Sequence, residues 1–402
     1  MDTSFPPSED LQILYFRIQQ LLKEQQVEAC LIHSVVNIYY LTGFIFDGYI
    51  CLFQEGDPLF FIRKSGHYVP ESGHFIRKPE DIPDILKQLH HPLPAALALE
   101  ADYLTYSEYI RLQAVFRPEK TTNATILLRQ SRMLKTPWEI EQFRYSAIRH
   151  CEIYKKIPSL FSYGMTDLEL QYEIERIMRR QGSIGIFRAG GNNMDIFMGS
   201  VLTGNNAGTP APYDFALGGG GMHPTLPVGA NGSFIQKGQT VMVDMAGNFT
   251  AYQTDMTRVY ACDKLPDEAY HAHRLSINMH QWLMENAKPG FSCAAIYEQS
   301  MKMAADAGFS DNFMGIGQQA KFVGHGVGIE INEPPVLSAR SHEVLQPGMV
   351  FAYEPKFVLP GVGAAGIENT YLATENGIEK LTVLEEDIIA FPSLLSSPTA
   401  SL

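Results

Sequence analysis

Long apolar runs are missing from this 402-residue chain. No stretch approaches the roughly 20 residues that a membrane-spanning helix requires, so a membrane is not an expected partner. Basic residues are scarce too: 31 Lys and Arg stand against 44 Asp and Glu, a formal charge of −13. Without a basic stripe, binding to a phosphate backbone lacks its electrostatic source, which argues against nucleic acid. The opening MDTSFPPSED has neither the basic nor the apolar segment of a signal peptide, so a cytoplasmic location is expected. Cysteines number 5, at wide and irregular spacings in apolar contexts, which suits buried free thiols rather than disulfides or a zinc site. What remains is a 45% apolar, 19% charged composition, ordinary for a globular protein long enough for two or three domains.

Residues 1–135 read as one α/β unit. Ser8 is placed to cap a helix whose Leu11, Leu14, Ile18, Leu21 and Leu22 recur at helical spacing. Runs rich in β-branched and aromatic residues follow (ACLIHS, NIYYLTG, YICLF, PLFFIR, ALALE) and read as strands, and ATILLRQSRML leads into the next unit. Tyr39, Tyr40, Phe46 and Tyr49 are expected in a core or a dimer contact. No polar cluster with a chemical role stands out here.

From residue 136 to about 390 the signals sharpen. Thr136 with Glu139, and Thr166 with Glu169, have capping-box spacing; Pro137 suits a first helical position and Gly182 a helix end. Strands TVMVDMAG and TRVYAC follow. The order then recurs: helices over about 266–290 and 292–308, then strands MVFAYEPKFVL and GIENTYLAT. Two helix–helix–strands halves predict a duplicated α+β domain with its site where the halves meet. Residues 391–402 are expected to form a disordered tail.

Five side chains are candidate metal ligands. Asp244 ends an apolar strand, Asp255 precedes Met256-Thr257-Arg258, His325 sits in GHGVG, and Glu354 and Glu368 interrupt apolar strands. A carboxylate flanked by apolar strand residues must be paired, hydrogen-bonded or metal-bound. Four such groups together would repel one another unless cations lay between them. Each alone has a bland alternative as a turn former, cap or solvent-facing residue; the combination carries the weight.

The stretches KTPWEIEQFR, VDMAGNFTAYQTDMTR, VGHGVGIEINEPP, LQPGMVFAYEP and GIENTYLATENGIEKLT occur in one order over residues 136–385. In this the chain resembles the creatinase/prolidase-type, or pita-bread, metallopeptidases, which include Xaa-Pro dipeptidases and aminopeptidases. The resemblance implies an α+β pita-bread catalytic domain behind a smaller α/β creatinase-type amino-terminal domain. It implies a homodimer and a site for two divalent ions, with Mn the leading expectation and Zn, Co or Fe as alternatives. In that scheme Asp244 chelates one ion, Asp255 bridges, His325 and Glu354 bind the second, and Glu368 bridges both. Glu354 also moves a proton between the attacking water and the leaving amine, and Thr257 orients a bridging carboxylate.

Three departures accompany the match. Val228 stands where the family has a histidine in an LP-H-G segment, and Asn332 stands where it has a substrate-binding histidine. Prolidase-like members also tend to have Arg where this chain has Gly366. His223 is a candidate catalytic substitute for the first missing histidine; a plain loop histidine is the equal alternative. The expected activity is dinuclear, metal-dependent hydrolysis of the bond before proline in a small peptide. The alternatives are a metal-dependent hydrolase or lyase of a small non-peptide substrate and, behind it, an inactive binding protein. The Gly218–Pro224 run is expected to be a flexible loop or lid over the site mouth.

Overall fold

The computed structural model describes residues 5–66, 68–70, 72–191 and 196–392. The proposed tail lies almost wholly outside them. Two compact units divide the chain, Met1–Glu139 and Ile140–Leu402, with the division falling inside a helix whose start was expected at the boundary.

The first unit comprises α1 (Ser8–Glu24), β1 (Ala29–Ile32), α2 (Val35–Thr42), β2 (Phe46–Phe53), β3 (Leu59–Ser65), β4 (Gly73–Phe75), α3 (Ile82–Gln88), β5 (Ala96–Leu99), α4 (Tyr106–Phe116), β6 (Lys120–Asn123) and α5 (Ala124–Met133). Its strands form one sheet in the order β4-β3-β2-β1-β5-β6. The β1–β5 and β5–β6 pairs are parallel and the β1–β2 and β2–β3 pairs antiparallel.

Two local expectations need correction. Pro7 rather than Ser8 holds the N-cap of α1. NIYYLTG is helical, not a strand, because Ser34 Oγ caps α2 through Asn37 N and Gly43, at φ 77°, closes it left-handed. ATILLRQSRML, to which the sequence alone assigns no element, is a helix capped by Asn123. A polar cluster missed in the sequence lies here as well. Fully buried Glu100 accepts from Ser34 N, Ser34 Oγ and Asn37 Nδ2 at 2.7, 2.7 and 2.6 Å, and Arg132 donates to Asn37 Oδ1. It binds α2 to the sheet and to α5 and has the form of a satisfied structural network. Tyr40, Phe46 and Tyr49 are core residues.

The second unit follows the expected order. α6 (Pro137–Tyr154) begins at a capping box, Thr136 N donating to Glu139 Oε2 at 2.7 Å and Glu139 N to Thr136 Oγ1 at 3.3 Å. α7 (Asp167–Arg180) begins at the Thr166–Glu169 box, with Gly182 at φ 99° just beyond its end. β7 (Gly199–Thr203), β8 (Gln239–Gly247) and β9 (Thr254–Cys262) complete the first half. α8 (Asp267–Asn286) and α9 (Cys293–Asp306) open the second, followed by β10 (Gly324–Gly326), β11 (Glu333–Val336), β12 (Val350–Tyr353), β13 (Lys356–Leu359), β14 (Gly363–Gly366), β15 (Asn369–Thr374), β16 (Gly377–Lys380) and β17 (Ile389–Ala390).

These strands form a β17-β9-β8-β7 sheet, a β11-β10-β12-β15-β16 sheet and a β13-β14 ribbon. The two expected long strands are each broken in the middle. MVFAYEPKFVL divides at Glu354-Pro355 and GIENTYLAT at Ile367-Glu368, so that each segment leaves the five-stranded sheet for the ribbon, or enters it from there. Pro355 has no N–H for a ladder, and Gly366, at φ 121°, adopts a backbone that L side chains rarely reach. Both glutamates therefore sit at sheet-changing corners.

The Gly218–Pro224 run is tied down rather than loose. Gly219 N donates to Thr209 O, Gly220 N to Asn206 Oδ1 and Gly221 N to Gly229 O, at 3.1, 2.8 and 3.2 Å. A Cβ at Gly221 would lie 2.2 Å from Leu226 O, so glycine here serves close backbone approach. Among the described residues no helix is long and apolar enough to cross a membrane, and all five cysteines are free and buried.

Burial also sets an acid limit on stability. Burial pushes the imidazole of His150 down to about 3 and that of His273 to about 4, from an ordinary 6.5. As pH falls the unfolded chain takes up protons that the folded chain refuses. The stabilisation is therefore complete above pH 6.5 and is lost as pH falls from there toward 3 for His150. His150→Asn is expected to reduce the acid-side loss of unfolding free energy by up to about 1.4 kcal/mol per pH unit. Urea unfolding from neutral to mildly acidic pH checks this; parallel profiles for variant and parent would refute it.

Candidate functional site

The site is assembled from the two halves of the second unit. In the β8–β9 ladder Asp244 faces Thr257 and Ala246 faces Asp255. Directly opposed residues share a face and a strand alternates with period two, so Asp244, Asp255 and Thr257 all project from the same side. From the other half, β10 supplies His325, held between β11 and β12. Its flanking glycines permit that sandwich: a Cβ at Gly324 would sit 2.2 Å from Ala352 O, and one at Gly326 2.1 Å from Pro334 O. The β12–β13 and β14–β15 corners supply Glu354 and Glu368. The halves are stitched by Thr257 and Glu368, each N–H donating to the other's carbonyl at 3.3 Å.

The five expected ligands converge. Asp255, His325 and Glu368 form one group whose ligand atoms all lie within 4.8 Å of one another, and Asp244, Glu354 and Glu368 form a second. His325 Nε2 is 3.8 Å from Asp255 Oδ2 and 3.6 Å from Glu354 Oε1. Its Nδ1 is 3.1 Å from Gly326 O, and a carbonyl only accepts, so in the neutral ring Nδ1 carries the proton and Nε2 its lone pair. Glu354 is shared differently from the expectation: it stands with Asp244 as well as beside His325.

The carboxylates are braced from behind. Thr257 Oγ1 donates to Glu368 Oε2 at 2.7 Å, so the threonine steadies Glu368. Fully buried Arg258 donates through Nη1 to the Thr257 and Glu368 carbonyls at 2.8 and 2.9 Å and through Nη2 to Asn369 Oδ1 at 2.8 Å. Thr370 Oγ1 accepts from Asp255 N and donates to Asp255 O, both at 2.8 Å. From α8, Ser276 Oγ accepts from Ile367 N at 3.0 Å and His280 Nε2 lies 3.1 Å from Ile367 O.

One residue in this cluster was not foreseen. The Lys356 ammonium, on a side chain with 0% exposure, lies 2.8 Å from Asp244 Oδ2, 2.7 Å from Glu354 Oε2 and 3.0 Å from Glu368 Oε2. A legible signal was there: a lysine inside the apolar run MVFAYEPKFVL, two residues after Glu354, must be paired if that run is buried. Burial alone would lower its pKa, but Asp244, Glu354 and Glu368 together hold it well above the usual lysine range. Burial, then repulsion from Asp244 and Glu354, pushes the Asp255 carboxyl well up. Glu368 is raised by burial and then by Asp255 and Glu354. Lys356 also stands directly across the ladder from Gly366.

The two ends of the cluster fit a metal differently. Beside Asp255 and His325, Glu368 is buried and its Oε1 has no hydrogen-bond partner, as a ligand atom awaiting a cation would be. Carboxylates with one imidazole suit a divalent ion. The Asp244–Glu354–Glu368 end does not fit an ion with Lys356 as it stands, because the ammonium already lies against all three residues.

The remaining candidates are engaged elsewhere in the described contacts. His223 is exposed and its Nδ1 lies 2.9 Å from Thr225 Oγ1 in its own turn; it belongs to neither ligand group. Val228 is buried in the turn that receives the glycine run. Asn332 grips the backbone of Gly190, accepting from its N–H at 2.6 Å and donating to its carbonyl at 3.3 Å.

Comparison with known proteins places this geometry. The sequence pattern of metallopeptidase family M24 matches residues 141–375, and that of the creatinase/prolidase N-terminal domain matches residues 16–134. The chain is 25% identical over 395 residues to a Xaa-Pro dipeptidase of Pyrococcus furiosus, covering 93% of this chain and 99% of that one. It is 24% identical over 388 residues to an uncharacterised peptidase of Bacillus subtilis, covering 93% and 98%. Among solved structures, the Xaa-Pro dipeptidase from Bacillus anthracis superposes with a TM-score of 0.77 at 22% identity, covering 94% of this chain and 99% of that one. The prolidase from Pyrococcus horikoshii gives 0.74 at 21% identity, with the same coverage. These structures share the pita-bread fold expected from the sequence.

Thr257→Val keeps the side-chain shape and removes the hydrogen bond to Glu368. It is expected to weaken divalent-ion affinity by about 10- to 100-fold. Competition against a metal-sensitive chelating dye reads this directly; unchanged affinity would show that Glu368 needs no such support.

Proposed function

The chain belongs to metallopeptidase family M24, and from that premise we propose that it hydrolyses the amide bond of small Xaa-Pro peptides with the help of a divalent ion. The observation that carries the metal dependence is the unpartnered, buried Glu368 Oε1 beside Asp255 and the lone pair of His325 Nε2. The substrate class follows relatives named Xaa-Pro dipeptidases that match over almost their whole length.

Asp255, His325 and Glu368 are the residues that would hold the ion. When bound there, such an ion supplies Lewis acidity for a carbonyl and lowers the pKa of a water. The rest is done by the chain. Thr257 and Arg258 fix Glu368, and Gly326 fixes the imidazole, so the ligand atoms are oriented before anything binds. Glu354 has Oε2 anchored by Lys356, leaving Oε1 to take a proton from the attacking water and return it to the departing nitrogen.

A second reading is favoured by Val228 and by Asn332, whose amide is engaged with Gly190. Neither carries a proton as the expected histidines would, which suits a small non-peptide C–N or C–X substrate. A panel of Xaa-Pro dipeptides and tripeptides separates the two. Turnover is expected to vanish on chelation and to fall more than about 100-fold in Asp255→Asn, beyond the loss from a merely supporting residue. Hydrolysis that survives chelation would overturn the metal dependence. Silence across the panel, in protein shown to hold its ion, would favour the non-peptide substrate.

A further inference from the structure

The ammonium of Lys356 lies where three of the four carboxylates meet, and nothing about it is incidental. Its side chain is wholly buried, and its three partners lie at 2.7–3.0 Å, the range of charge-assisted hydrogen bonds. An ammonium has three N–H donors, and here there are three acceptors. The geometry points to Lys356 as a built-in cation occupying the Asp244–Glu354–Glu368 end of the cluster, so that the protein takes one divalent ion, at Asp255–His325–Glu368, and not two. The inference rests on the reading of that second end as a metal site.

Three physical consequences support this assignment. The first is space: an ion coordinated by oxygen sits about 2.0–2.6 Å from its ligands, and the ammonium nitrogen, at 2.7–3.0 Å from the same three residues, already fills the gap between them. The second is charge. Four carboxylates are balanced by two divalent ions, whereas the same four with a lysine and two divalent ions would leave a buried positive excess. The third is backbone. Lys356 opens β13 directly opposite Gly366, where a Cβ would lie 2.5 Å from Pro355 O and 3.0 Å from Lys356 Cα. The close approach of the two strands at this corner holds the lysine stem beneath the carboxylates.

With all three donors engaged, the ammonium has none left for a substrate carbonyl. Lys356 therefore holds Asp244, Glu354 and Glu368 in place, and any electrophile comes from the remaining ion. Asp244, which the family resemblance makes a metal ligand, becomes a lysine partner in this chain.

The test is the metal content of the intact protein, titrated with Mn2+ alone and read by mass spectrometry and by electron paramagnetic resonance. One equivalent per chain with the six-line spectrum of an isolated Mn2+ is expected. Two equivalents with an exchange-coupled spectrum would overturn the role of Lys356 while leaving the metal-dependent function standing. No bound Mn2+, with Zn2+ and Co2+ also failing to bind, would overturn both. Lys356→Ala opens the occupied end and is expected to raise the content to two equivalents, with a melting temperature that rises far more on metal addition than that of the parent. A variant that folds, remains at one equivalent and melts alike with and without metal would also count against the assignment. The parent protein's own stoichiometry decides the matter should the variant fail to fold.

Discussion

Four carboxylates brought together under an apolar layer are the constraint to which the rest of the catalytic unit answers. Asp255, Glu354 and Glu368 are buried, and Asp244 lies at their edge. Such a group cannot persist without positive charge or protons. Part of the answer is ionic: the Lys356 ammonium reaches three of the four. Part is protonic, since the Asp255 and Glu368 carboxyls are pushed well above their ordinary range, first by burial and then by their neighbours. Arg258 lies one layer behind, tied to the backbone carbonyls of Thr257 and Glu368 and to Asn369, and fixes position rather than charge.

The way the chain turns corners makes this convergence possible. A continuous strand can present a given face only at alternate positions. Breaking the strand at Glu354-Pro355 and again at Ile367-Glu368 frees the two glutamates from that alternation and points them toward the β8–β9 pair. The β13–β14 ribbon between the breaks then carries Lys356 into the same place. Glycine at 366 is part of that geometry, because a side chain there would collide with the Pro355–Lys356 backbone. An arginine could not occupy this position with the corner as it stands.

Much of this was legible from residue types. Buried carboxylates in apolar strands, a histidine between glycines and two capping boxes are local signals, and the structure brings those residues together in the expected halves. The breaks in the two strands were not legible, because an apolar run with an internal Glu reads equally well as one strand or as two. NIYYLTG misled for a related reason: aromatic and β-branched residues favour strands, but Ser34 and Gly43 cap the segment as a helix. Lys356 escaped notice because a lysine is ordinarily a surface residue, and only the burial of every neighbour in β12 and β13 shows that this one cannot be. His223 was drawn in by proximity in sequence, while its ring stays within its own turn.

The charge arithmetic connects the lysine to the two raised carboxyls. Four ionised carboxylates and one ammonium leave three negative charges in a space with little water. A single divalent ion reduces that to one. Asp255 and Glu368 share the His325 end, where the ion would sit, and both are buried. An arriving ion would therefore displace protons from its own ligands, coupling metal affinity to pH at this end of the site. At the other end Lys356 is a permanent counter-charge that chelation cannot remove, so the corner bearing Glu354 keeps its shape whether or not the ion is present. One end of the cluster thus carries its counter-charge in the chain itself, and the other takes it from what it binds.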